Sequence, residues 1–256
     1  MTYPRLRRFV PQFFRRALRW YLPNRVSRAE VVELTTRTLT PNVYLEIGVE
    51  SGDVFTRAHA ARRIGVDPIP PRPRIVRAAN EHSAEYFQQR SDDFFREQHE
   101  SLVVSGIDVA FVDGLHTYQQ VYADVLHCLR YLTRDGVILV HDCNPPNEDC
   151  TVIDTLEIAS HSPKTHNLSR PWTGDVWKAI VRLRSEHDSL HVCVLDTDYG
   201  IGVVTRGENK SRLQHDPDRI AHMVFSDLEK DRRTMLNLRR PVYLFSVLRR
   251  LIGRQK

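Results

Sequence analysis

The chain has 256 residues, 41% hydrophobic and 27% charged. That length buries a full core without disulfide or metal staples, the composition excludes a chain disordered throughout, and no apolar run approaches the roughly 18 residues of a membrane-spanning helix. The net charge of +5 hides a division: residues 1–30 carry +7 and residues 230–256 carry +8, so the body between them carries −10 and would repel nucleic-acid phosphate.

Val10, Phe13, Phe14, Ala17, Leu18 and Tyr21 recur at helical spacing, with Arg15, Arg16 and Arg19 on other faces and Pro23 as the stop. These arginines interrupt any apolar leader segment, so a secretory signal is not expected. Ser27 with Glu30 three residues on is a capping box that starts a second helix. After Pro41, Val43–Ile47 reads as a strand. A Gly48–Gly52 turn and a helix over 53–62 follow. A second strand runs over 63–67 and stops at a Pro-rich segment. Residues 74–90 read as helix or mixed structure. Ser91 reads as the N-cap of a helix over 92–103.

Ile107–Val112 is the next clear strand, followed by a helix over 117–132 and an apolar strand over 137–140 of the kind buried on both faces. Residues 142–173 are loop-rich. A helix over 175–186 precedes strands at 190–195 and 201–205, which the turn chemistry of residues 196–200 joins as an antiparallel edge pair. Leu244, Val247, Leu248, Leu251 and Ile252 form a last amphipathic stripe flanked by Arg249 and Arg250. Both ends thus read as basic helices that pack on the core or on a second copy of the chain. Attachment to an anionic membrane surface is the sharper alternative. The four cysteines, Cys128, Cys143, Cys150 and Cys193, show no CxxC spacing, which fits a cytoplasmic protein with reduced thiols.

Strands alternating with helices predict a doubly wound, Rossmann-like parallel α/β sheet. The organisation expected is an N-terminal helical extension over 1–39, a domain over 40–207 and a C-terminal helical extension over 208–256. In such sheets ligands bind at the carboxyl ends of the strands. Here the polar outliers fall at those ends: Glu46 to Gly52, Asp67, Asp113 to His116, and His141-Asp142. The glycine turn reads ExGxxxG and not the GxGxxG of a dinucleotide site, and Glu46 would oppose a pyrophosphate. That favours a ligand with a positive or amino-acid end over a dinucleotide. Asp67 lies at the distance of an acid that holds ribose hydroxyls. Asp113 and Asp142, on adjacent strands, suit Mg²⁺ or Mn²⁺.

The stretches Leu45-Glu46-Ile47-Gly48-Val49-Glu50-Ser51-Gly52 and Gly65-Val66-Asp67-Pro68 resemble the first two motifs of class I S-adenosylmethionine-dependent methyltransferases. Phe111 to Tyr118, Gly136 to Asp142, Gly174 to Lys178 and Tyr199 to Gly202 resemble the subfamily of macrolide sugar O-methyltransferases. The resemblance covers about residues 40–206. It implies that Gly48 and Gly52 admit the methionine part of S-adenosylmethionine, with Glu46 near its ammonium and Asp67 on its ribose. Ser91 and Asp92 fall at the adenine-side loop. It further implies a divalent metal on Asp113, Asp142 and His141, although the best-matched relatives carry a carboxylate where His141 stands. The acceptor would be a hydroxyl of a sugar or glycan. His116, or failing that His141, would be the base that takes its proton. Trp172, Asp175 and Tyr118 would meet the sugar. Other readings stay open: a nicotinamide oxidoreductase, a methyltransferase for RNA or a non-sugar small molecule, or a non-catalytic protein docking through its basic helices.

Overall fold

The computed structural model describes residues 17–80, 84–152 and 172–254. Val10, Phe13 and Phe14 of the first amphipathic stripe lie outside them. Eight strands form one sheet: β1 (Val43–Ile47), β2 (Arg62–Val66), β3 (Ala84–Phe87), β4 (Ile107–Val112), β5 (Leu132–Val140), β6 (Leu190–Leu195), β7 (Ile201–Arg206) and β8 (Leu238–Arg239). Their order is β3-β2-β1-β4-β5-β7-β6-β8. Neighbours from β3 to β5 are parallel. β7 enters antiparallel between β5 and β6, and β8 pairs parallel to β6. The antiparallel pair expected at the edge is therefore one strand short of it, with β8 outside.

The chain starts in the middle of the sheet, builds outward to β3 and returns on the other side of β1. That reversal between β1 and β4 is the switch point, where a crevice opens at the carboxyl ends. Ile47 pairs with Val112, and Val112 with Val140. One residue beyond these pairs, Gly48, Asp113 and His141 stand side by side, and the amides of Asp113 and His141 continue the ladder to Ile47 O and Val112 O.

Alternate residues of each central strand enter opposite cores. Leu45, Ile47, Ala110, Val112, Ile138 and Val140 face helices α1 (Tyr118–Tyr131) and α2 (Trp177–Glu186). Tyr44, Val109, Phe111, Val137 and Leu139 face helices α3 (Arg28–Leu39) and α4 (Tyr243–Arg254). The capping box at Ser27 forms as expected. The C-terminal stripe Leu244, Val247, Leu248 and Leu251 is buried in that second core, so it does not present an apolar face to a membrane. Trp20 packs edge-on against Phe245 at 5.2 Å, bringing the two basic ends together. No helix among the described residues is long and apolar enough to cross a membrane.

Three local expectations change. The helix expected over 53–62 is a short run of turns, and Arg62 already belongs to β2. Residues 74–90 divide into a helix (Pro73–Asn80) and β3. Ser91 is the first helical residue, and Arg90 stands at the cap.

Candidate active site

The crevice contains a cavity of about 240 Å³ whose wall includes Arg28, Glu46, Gly48, Glu50, Asp113, His116, His141, Asp142, Trp172 and Tyr199. Its floor is the Gly48–Gly52 turn. Gly48 has φ +81°, and a β-carbon there would overlap the carbonyl of Asp113, so only glycine lets β1 and β4 come this close. Tyr44 OH donates to the buried Glu46 carboxylate. Burial pushes the Glu46 pKa well above the usual carboxylate range.

Asp67 does not face this cavity. Its Oδ2 accepts from the amides of Val49 and Glu50 at 2.8 and 2.9 Å, and its Oδ1 from Ile69 at 2.9 Å. The carboxylate expected on ribose thus shapes the glycine turn. Ser91 is buried and accepts from the Gln120 amide. The exposed Asp92 pairs with His127 at 3.3 Å. Neither lines the cavity.

At the ends of β4 and β5 the charged groups converge. His141 Nδ1 lies 3.1 Å from Asp113 Oδ1 and 3.2 Å from Asp142 Oδ2. Asp142 has φ +61°, an unusual backbone for a residue with a side chain. Burial opposes charge on the His141 ring, but Asp142 and Asp113 outweigh it and raise its pKa well above the ordinary value. Burial likewise opposes charge on Asp113, yet His141, His116 and Arg28 hold its pKa below the ordinary range.

The donor set passes a chemical test for a hard divalent cation. One ligand atom from each of Asp113, His141 and Asp142 lies within 4.8 Å of the others. His141 turns its Nδ1 to both carboxylates, while its Nε2, buried without a hydrogen-bond partner, lies on the far side of the ring toward Asp198. Two carboxylates with one imidazole suit Mg²⁺ or, better, Mn²⁺.

His116 Nδ1 stands between two acceptors, Trp172 O at 3.1 Å and Asp142 Oδ2 at 3.2 Å. Nε2 faces Asp113 Oδ1 at 3.6 Å, beyond hydrogen-bond distance, so a neutral ring carries its proton on Nδ1 and keeps a lone pair on Nε2. The Trp172 ring stacks on it at 4.8 Å. Asp175 and Tyr118, expected at the sugar, are elsewhere. Asp175 Oδ1 accepts from the amide of Tyr118 at 2.7 Å, and its Oδ2 pairs with Lys178 at 3.2 Å. Asp175 is a buried cap for helix α1, and the Tyr118 side chain is buried with its hydroxyl toward Arg182.

The structure adds Arg28, Asp198 and Tyr199 to the site residues expected from the sequence. Asp198 Oδ2 accepts from the Arg28 amide, and its Oδ1 lies 3.7 Å from His141 Nε2. Arg28 Nε lies 3.4 Å from Asp113 Oδ2. A signal for Arg28 existed: a cation in the first turn of a helix opposes the helix dipole and asks for an acidic partner. In the sequence Asp198 belongs to turn chemistry, and Tyr199 both to that turn and to the Tyr199–Gly202 stretch that resembles the methyltransferase subfamily.

Residues 45–143 match a family described as a methyltransferase domain. No curated protein matches the chain. Among solved structures, the O-methyltransferase TomG from Streptomyces achromogenes, in complex with SAM, is similar at 15% identity over 70% of this chain and 79% of its own, with TM-score 0.50. The cofactor-bound Rv0187 from MTB follows at 15% identity, 79% and 93% coverage and TM-score 0.48. The O-methyltransferase from Bacillus cereus, in complex with SAH, follows at 15% identity, 78% and 93% coverage and TM-score 0.47. The matched residues hold the glycine turn, Asp67 and the Asp113–Asp142 cluster. By sheet order and by the match over residues 45–143, the chain has a Rossmann-like fold with a segment similar to a methyltransferase domain.

Proposed function

We propose that the protein transfers a methyl group from S-adenosylmethionine to a hydroxyl oxygen of a sugar or glycan, with His116 as the base and a divalent cation on Asp113, His141 and Asp142. The observation that carries the reading is the meeting, in one cavity, of the glycine turn, the acidic cluster and His116.

The cofactor supplies a methyl group on a sulfonium, which leaves as a neutral thioether. His116 Nε2 takes the hydroxyl proton as the acceptor oxygen bonds to that methyl carbon. Asp142 and Trp172 O hold the ring in the tautomer this needs. A positioned base of this kind contributes about 10²–10⁴-fold. His141 is less suited to the role, since it is buried between two carboxylates that favour its protonated form. As a ligand instead, it would join Asp113 and Asp142 in holding a cation whose charge lowers the pKa of a bound hydroxyl. The sugar is supported by the walls: the rings of Trp172 and the half-exposed Tyr199 stand beside carboxylates, offering stacking faces and hydrogen-bond acceptors.

The test is transfer of a labelled methyl group to a panel of sugar, phenol and RNA acceptors, with Mg²⁺ or Mn²⁺ and with EDTA. Labelled sugar in the presence of metal, and loss of turnover in Asp142→Ala with S-adenosylhomocysteine binding retained, is the expected result. Label on phenol or RNA alone removes the sugar. Turnover indifferent to both EDTA and Asp142→Ala removes the metal.

A further inference from the structure

Arg28 belongs to the cavity although it lies outside the matched domain. It opens helix α3, whose start is fixed by the Ser27 capping box, and its amide is held by Asp198. Among the described residues that line the cavity it is the sole arginine or lysine, against the carboxyl groups of Glu46, Glu50, Asp53, Asp113 and Asp142. Its guanidinium lies against Asp113, whose carbonyl occupies the space a β-carbon on Gly48 would need. Arg28 therefore stands beside the first glycine of the turn. Its Nε faces Asp113 and its Nη1 lies 3.9 Å from Asp198, while Nη2 makes no bond among the described residues.

The amino-acid end of S-adenosylmethionine carries an ammonium and a carboxylate. The ammonium meets abundant acids here. The carboxylate would be repelled by the same acids in a partly buried site. It needs a fixed cation, and a guanidinium with an unused edge is the group that binds a carboxylate through paired hydrogen bonds. We propose that Arg28 binds the carboxylate of the cofactor's methionine end, so that a residue from outside the methyltransferase domain completes the cofactor site. The proposal rests on the methyltransferase reading of the cavity.

The test is calorimetric titration of the full chain with two ligands: S-adenosylhomocysteine, and its decarboxylated analogue, which keeps the ammonium and lacks only the carboxylate. In Arg28→Met, affinity for S-adenosylhomocysteine should fall by about 10- to 100-fold, the loss expected for a charge-assisted hydrogen bond. Affinity for the decarboxylated analogue should stay within about threefold of wild type, which also shows the variant to be folded. Arg28→Lys should fall between, keeping the charge and losing the fork. Equal loss for both ligands, or no loss for either, overturns the proposal while leaving the methyltransferase reading in place. Wild-type protein that binds neither ligand overturns that reading and the proposal with it.

Discussion

Gly174 and His116 touch backbone to backbone. Gly174 has φ +55°, and a β-carbon on it would overlap the carbonyl oxygen of His116. The contact sets where the loop carrying Trp172 lands, and Trp172 O is one of the two acceptors that orient the His116 ring. Gly174→Ala therefore has to push the two segments apart, against an unfavourable backbone conformation as well. Methyl transfer should drop about 10²-fold, since a misplacement of about 1 Å has that effect. S-adenosylhomocysteine affinity should change little, because the glycine turn lies across the cavity. Rates paired with calorimetry decide it, and equal loss in both would refute the positioning role.

A divalent cation on Asp113, His141 and Asp142 should announce itself through a proton. His141 has its pKa raised well above the ordinary value by Asp142 and Asp113, against the effect of burial. Without metal, the stability this proton contributes is fully present below about pH 6.5 and is lost as pH rises through the raised value. A cation on His141 must displace the proton, so Mn²⁺ affinity should rise by about tenfold per pH unit until the raised pKa is reached. His141→Gln should bind Mn²⁺ more weakly and with a flatter pH profile. Titrations at pH 6, 7 and 8, in buffers of different ionisation enthalpy, count the proton released. A flat profile in the wild type would remove His141 from the ligand set.

The sheet and its switch point were legible in the sequence because β1, β4 and the second half of β5 are largely apolar and close on polar residues, and strand ends in register make a site. Asp113, His116, His141 and Asp142 could be named for that reason. The place of Arg28, Asp198 and Tyr199 in the cavity was not legible, since each reaches it only through pairing across the chain. The Asp198–Tyr199 turn arrives because β7 inserts between β5 and β6, and the amides of Cys143 and Asn144 then bond to the carbonyls of Gly200 and Tyr199. Asp175 and Tyr118 misled for the converse reason. An acid near an aromatic reads as a sugar contact in sequence, while in space the acid caps helix α1 through the Tyr118 amide.

Asp67 supplies acceptors for three amides, two of them in the glycine turn. Asp67→Ala leaves those donors without a partner in a buried place, at about 1–3 kcal/mol for each one that water does not reach. The melting temperature should fall, and S-adenosylhomocysteine affinity should fall with it by at least about tenfold because the turn is the cavity floor. Asp67→Asn keeps one acceptor oxygen and should recover part of both. A stable Asp67→Ala with normal affinity would show that the turn holds its shape without this carboxylate.

Beneath the same loops, Asp124 is fully buried, and its Oδ2 has no hydrogen-bond partner. Gln120 donates to its other oxygen at 3.1 Å. Burial pushes its pKa up to about 7, and the polar groups beside it offset only part of that. A carboxyl with a raised folded-state pKa favours folding, relative to its ionised form, at low pH, and loses that advantage as pH rises from about 4 to about 7. Asp124→Asn has no charge to bury and keeps an oxygen for Gln120. It should exceed the wild type in stability by about 1–3 kcal/mol at pH 8, a figure reduced by the cost of burying the new amide N–H groups. The gap should close near pH 4. Urea unfolding at the two pH values measures it, and a variant less stable than wild type at pH 8 would mean that the Asp124 charge has a stabilising partner.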